Sequence, residues 1–108
     1  MQADITELIR RNEKINEEEN SGNVQELGKY VASELAFQRR DGTIVNRSTF
    51  LKPNPGNRTI QIESVHVYGN RAVVTCVVTD SGVVTHNIRL FVKEGSEWRV
   101  LGWANEPV

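Results

Sequence analysis

Cys76 is the only cysteine in the chain, so no internal disulfide can hold the fold together. Its neighbours Val73-Val74-Thr75 and Val77-Val78 are apolar or β-branched, which marks it as a small buried hydrophobe rather than a reactive thiol. Net charge of either sign is missing too. Thirteen Lys and Arg against fourteen Asp and Glu leave −1, with a pI near 6.1, which excludes nucleic acid or an anionic membrane as a partner held by bulk charge. No apolar run approaches the roughly 20 residues that cross a bilayer. Met1-Gln2-Ala3-Asp4 has neither the basic nor the apolar region of a signal peptide, so the expected location is the cytoplasm. Asn46-Arg47-Ser48 and Asn57-Arg58-Thr59 match the N-glycosylation pattern, which has meaning only in a secreted chain.

What is present suits one small core. A chain of 108 residues is too short for two, so residues 1–108 are read as a single domain. A domain of this size buries only about 60 to 70% of the surface of its unfolded chain, and oligomerisation adds burial.

Asp4 followed by Glu7 resembles a capping box, and Ile5, Leu8, Ile9 and Ile15 recur at helical spacing, predicting an amphipathic helix to about Asn20, ended by Gly22. Glu17, Glu18 and Glu19 at its end read as a solvated acidic face. Asn23 with Glu26 caps a second short helix in which Val24, Leu27 and Val31 share a face, fading near Ser33. Asp41-Gly42 between residues 35–40 and 43–45 suits a tight hairpin. Asn46 caps one more helical turn through Phe50 and Leu51, stopped by Lys52-Pro53-Asn54-Pro55-Gly56.

From Arg58 the pattern becomes four strands separated by Gly69-Asn70, Ser81-Gly82 and Gly95-Ser96, an antiparallel meander. Pairing through these turns sets Tyr68 opposite Arg71, Asp80 opposite Val83 and Lys93 opposite Trp98. One face then carries His66, Val73, Thr75, Val77, His86, Ile88, Leu90, Leu101 and Trp103. The other carries Val65, Val67, Ala72, Val74, Cys76, Asn87, Arg89, Phe91, Trp98, Val100 and Gly102. Both faces are apolar at their centres, so both need cover. Ile60 and Ile62 have the opposite parity from Val65 and Val67, which places a bulge near Glu63-Ser64 and bends the sheet. The expected fold class is α+β, about three N-terminal helices and a short hairpin packed on a strongly bent antiparallel sheet to form a cone.

This order of elements, with Tyr68-Gly69-Asn70-Arg71-Ala72-Val73-Val74-Thr75, Arg89-Leu90-Phe91-Val92-Lys93 and Trp98-Arg99-Val100-Leu101-Gly102-Trp103, resembles the nuclear transport factor 2-like superfamily over essentially the whole chain. The likeness is greatest to its small bacterial members of unassigned function. Ketosteroid isomerases and SnoaL-like cyclases share that fold. The resemblance implies a cone with a pocket and says little about chemistry, because one fold hosts many functions.

An isomerase of that type needs a carboxylate base and an enolate-stabilising acid inside the cone. Among the acids, Asp41 belongs to the turn, Glu34 reads as exposed, and no Asp or Glu interrupts an apolar strand. The enzyme alternative therefore falls to Tyr30 or His86 with Arg89, and the sequence leans against catalysis. His66 and His86 share a face but lack a third ligand, so no metal or other cofactor is expected.

Arg89 is the residue of most interest. It stands between Asn87 and Phe91 on an apolar face, where a charge must be paired, and a guanidinium can anchor a carboxylate. The expected ligand pocket is Tyr30, Phe37, Phe50, Asn87 and Arg89. The expected partner is a second copy of the chain, meeting through Val73, Thr75, Val77, His86, Ile88 and Trp103, because the helices cover only the face with small residues Ala72, Cys76, Gly102 and Ala104. The leading reading is a homodimeric binding module for a small molecule, partly apolar and, where Arg89 anchors it, anionic. The alternatives are a lyase, isomerase or cyclase and an assembly or regulatory association domain.

Overall fold

The computed structural model describes residues 2–108. Helix α1 spans Gln2–Ser21, α2 Val24–Leu27, followed by a 3-10 turn at Gly28–Tyr30, and α3 Arg47–Phe50. The strands are β1 (Val31–Gln38), β2 (Ile44–Val45), β3 (Thr59–Tyr68), β4 (Arg71–Asp80), β5 (Val83–Glu94) and β6 (Glu97–Pro107). They form one six-stranded sheet in the order β2-β1-β6-β5-β4-β3. The four-stranded meander is as expected; the hairpin strands extend the same sheet. The β1–β6 junction is parallel, which a wholly antiparallel reading does not include.

α1 forms because Leu8, Arg11, Asn12 and Ile15 repeat at 3, 4 and 7 residue steps and fall on one buried face. Leu8 and Ile15 are fully buried, each contributing roughly 1.5–3 kcal/mol of apolar burial. Asp4 lies within the first turn instead of capping it, and accepts hydrogen bonds from Trp98 Nε1 at 3.0 Å and Lys93 Nζ at 3.1 Å. These bonds, Trp98's first, hold the Asp4 carboxyl below its usual range. Gly22, at φ +74°, turns the chain out of the helix.

Asn23 Oδ1 caps α2 by accepting from the Glu26 amide at 3.2 Å, and Asn46 Oδ1 caps α3 by accepting from Thr49 at 3.1 Å. The second helix is shorter than its apolar spacing suggests. Val31, read as helical, already starts β1, where it pairs with Val100, because a β-branched residue beside an open strand gains more from the ladder than from a fifth helical position.

Tyr68–Arg71, Asp80–Val83 and Lys93–Trp98 pair as expected. The expected bulge lies between Ile62 and Ser64. A second, unexpected register shift lies opposite Leu90 and Phe91, where Val100 and Gly102 are their partners and Leu101 is the extra residue. Beyond it the parity of β6 reverses. Trp103 therefore pairs with Arg89 and turns into the concave face at 5% exposure. Gly102 lies on the convex side against Leu90 Cβ. The expectations that Trp103 sits at the centre of an outer interface, that Gly102 lies under the helices, and that the two tryptophans oppose each other are all corrected by this one bulge.

The closed end of the cone is filled by Leu8, Ile15, Leu27, Val31, Leu35, Ala72, Val74, Phe91, Trp98 and Val100. Cys76, opposite Asn87 on β5, is fully buried, and burial pushes its thiol above the ordinary value, which keeps it protonated. The convex face carries exposed His66, His86, Ile88 and Leu90 and half-buried Val73, Thr75 and Val77. No helix of the described residues is long and apolar enough to cross a membrane.

Candidate functional site

The open end of the cone holds a cavity of about 440 Å³, a size that suits a small organic ligand. Phe37 of β1, Phe50 of α3 and Trp103 of β6 make its aromatic wall. Their ring centroids lie 4.8 Å (Phe37–Phe50), 5.1 Å (Phe37–Trp103) and 5.4 Å (Phe50–Trp103) apart, a mutual packing that fixes all three. Thr85, Asn87 and Asn105 supply neutral polar groups. The tip of the β1–β2 hairpin and the segment after α3 bring Arg39, Arg40 and Lys52 to the mouth.

Behind the aromatic wall lies a closed polar network. Arg89, 1% exposed, donates Nη1 to Asn12 Oδ1 at 2.9 Å and Nη2 to Asn87 Oδ1 at 3.1 Å. The Trp103 ring covers its guanidinium at 3.7 Å, and Trp103 Nε1 donates to Asn87 Oδ1 at 2.8 Å. Asn87 in turn donates Nδ2 to Thr85 Oγ1 at 3.2 Å. Burial lowers the Arg89 pKa from its ordinary value, yet a guanidinium keeps its proton at any physiological pH. The charge is met by amide oxygens and an aromatic face, and Nε has no partner among the described residues.

On the far wall, the end of α1 is stitched to β3. Asn16 Nδ2 at 3.2 Å and Asn20 Nδ2 at 2.9 Å both donate to the Arg58 carbonyl. Arg58 Nε lies 3.7 Å from Asp80 Oδ2. This anchoring turns Glu18 and Glu19 toward the cavity, so the solvated reading of the acidic run holds only for Glu17, which is exposed. Glu19 is half-buried, and desolvation raises its carboxyl pKa against the lowering pull of Arg89 and Arg58; Asp80 pushes the same way as burial.

Of the residues expected in the pocket, Phe37, Phe50 and Asn87 line it. Arg89 lies one layer behind, shielded by Trp103, because the reversed parity of β6 puts that ring between it and the cavity. Tyr30 is not on the wall; its ring packs under the Arg11 guanidinium at 5.3 Å. His86 lies on the convex face, 3.6 Å from Glu63. Tyr30, His86 and Arg89 thus occupy three separate environments and cannot act together on one substrate. Among the described residues no three His, Cys, Asp or Glu side chains are grouped as metal ligands.

The architecture has close counterparts among solved structures. A nuclear transport factor 2-like protein of unknown function from Silicibacter pomeroyi superposes with a TM-score of 0.86 at 15% identity, over 99% of this chain and 98% of its own. The chain has the nuclear transport factor 2-like fold. A conserved protein from Planctomyces limnophilus matches this chain with a TM-score of 0.87 at 15% identity, over 100% and 98% of the two chains. A protein from Exiguobacterium sibiricum, named for a calcium/calmodulin-dependent kinase II association domain, matches with 0.83 at 17% identity, over 98% and 94%. No protein-family model and no curated protein matches the sequence. Identities this low establish the nuclear transport factor 2-like fold and leave the site to its own residues.

The cavity residues that sequence reasoning misses are Glu19, Thr85, Asn105, Trp103 and the cations of the mouth. Only one signal pointed to any of them: three glutamates at the negative end of α1 oppose the helix dipole, a local conflict consistent with a place for Glu18 and Glu19 on the cavity wall.

Proposed function

We propose that this chain is a small homodimeric binding module whose cone accepts a small, partly apolar, anionic molecule without transforming it. The observation that carries the reading is the open cavity with a mutually packed aromatic wall and three exposed cations, Arg39, Arg40 and Lys52, at its mouth. Arg89 adds a fixed positive charge behind that wall, a long-range contribution in place of direct contact. The second copy meets the convex face, where Ile88 is 57% and Leu90 38% exposed. A shallow apolar groove runs there between Ile44, Ile88, Leu90 and Ala104. A self-complementary pair buries this face in both copies at once.

Thermal denaturation against straight-chain carboxylates from acetate to decanoate tests the binding claim. Melting temperature rises with octanoate concentration, since a ligand at 100 times its Kd stabilises by about 2.7 kcal/mol; no rise with any of the series at millimolar concentration contradicts it. Ile88→Glu tests the pairing, because like charges near a two-fold axis in a desolvated surface cost several kcal/mol. Light scattering gives a dimer for the natural chain and a monomer for the variant. A monodisperse natural monomer at micromolar concentration contradicts the pairing.

A second reading, an assembly domain, is favoured by the same convex face and by the name of the Exiguobacterium protein. In that reading the Ile88→Glu monomer loses its function while the cone binds nothing.

A further inference from the structure

The charges around the cavity are segregated. Glu18 and Glu19 end α1, which packs on β3, the outermost strand at one edge of the sheet. Arg58 and Asp80 lie at that same edge and neutralise each other. Arg39 and Arg40 lie at the opposite edge, on the β1–β2 hairpin, with Lys52 just beyond α3, which packs on β1. Asp41, the acid of that hairpin, is occupied: its Oδ1 accepts from the Thr43 amide at 2.9 Å and from Thr43 Oγ1 at 2.7 Å. The rings of Phe37, Phe50 and Trp103 stand on β1, α3 and β6, next to the cationic side, and Val83 of β5 and Val78 of β4 continue the apolar lining toward the acidic side. Three inter-strand steps separate β4 from β1, about 14 Å at the usual spacing, and side chains reaching inward from both edges shorten that gap.

We propose, resting on the binding-module reading above, that the cone selects an elongated zwitterion, an ω-amino carboxylate whose ammonium group meets Glu19 and whose carboxylate meets Arg39 and Arg40 across an apolar middle. Glu19 is a half-buried carboxylate on the cavity wall with no ion pair among the described residues, and an ammonium ion complements such a group. Neither neighbouring cation serves Glu19: Arg58 is committed to Asp80, and Arg89 is hydrogen-bonded to Asn12 and Asn87 behind Trp103. A molecule with only a carboxylate leaves this end desolvated and unanswered, and one with only an ammonium leaves the cations unused.

The test compares three probes of one chain length, 8-aminooctanoate, octanoate and octylamine, by titration calorimetry at low salt. The zwitterion binds at least tenfold tighter than either relative. Glu19→Gln removes its advantage over octanoate, and the double variant Arg39→Ser, Arg40→Ser removes its advantage over octylamine. The comparison on the natural chain decides the matter even where a variant folds poorly. Octanoate binding as tightly as 8-aminooctanoate overturns the zwitterion and leaves the anion-binding reading standing. Octylamine binding as tightly, or no binding by any of the three, overturns both.

Discussion

Arg89 takes a full positive charge into a place where, among the described residues, no carboxylate pairs with it, and survives there because three neutral groups share the load. Asn12 and Asn87 accept its hydrogen bonds and Trp103 covers its plane. That a charge at this position needs partners is readable from its apolar neighbours in β5. That the partner is Asn12 is not, since the two are 77 residues apart and an asparagine in an amphipathic helix reads as solvent-facing. Arg89→Ala leaves the buried Asn12 amide oxygen without its donor, while Asn87 keeps that of Trp103, and opens a void, a loss of roughly 3–5 kcal/mol, read as a fall in urea midpoint. A variant within about 1 kcal/mol of the natural chain contradicts the network described. Glu7 gives the pH dependence. Hydrogen bonding to Arg10, the largest effect, outweighs the opposing effect of burial and, joined by the weaker pull of Arg11, draws its carboxyl down to about 2 from 4.5. The folded state therefore binds this proton less readily than the unfolded state. Its stabilisation is complete above pH 4.5 and is lost as pH falls toward about 2. Urea midpoints measured from pH 5 to 2 fall less steeply in Glu7→Gln; identical slopes contradict the assignment.

The elements show why one bulge was legible and the other was not. In β3 an apolar alternation breaks phase between Ile62 and Val65, so a register shift is written in the pattern. In β6 the run Val100-Leu101-Gly102-Trp103 is apolar or neutral at every position, so either parity reads equally well and the extra residue leaves no trace. The missed bulge moved the largest side chain of the site from one face to the other. Turns were easier, because they demand particular backbone conformations. Ser81 and Gly82 both have positive φ, +53° and +80°, the signature of a type I′ hairpin in which asparagine is preferred to serine at the first position. Ser81→Asn raises stability by about 0.5 kcal/mol, measured as a higher urea midpoint with unchanged slope. A lower midpoint contradicts the turn assignment.

At the scale of the molecule, the cone and its meander follow from alternation, turn residues and length, and were legible. The parallel β1–β6 pairing that closes the cone was not, since parallel partners are set by tertiary packing and leave no turn between them. The same holds for the site: its aromatic wall was named in part, while its charges come from a helix end, a hairpin tip and a loop that only the closed fold brings together. The central claim is that small molecules enter the cone beside Trp103 and leave its closed end undisturbed. The chain has two tryptophans, whose indole N–H groups donate to different partners, Trp103 to Asn87 at the cavity and Trp98 to Asp4 at the other end. In a 15N-labelled sample the two indole signals are separately visible, and Trp103→Phe assigns them. Titration with 8-aminooctanoate and with octanoate shifts the Trp103 signal saturably and leaves that of Trp98 in place; a Trp103 signal that does not move with either, or two signals that move together, contradicts the account.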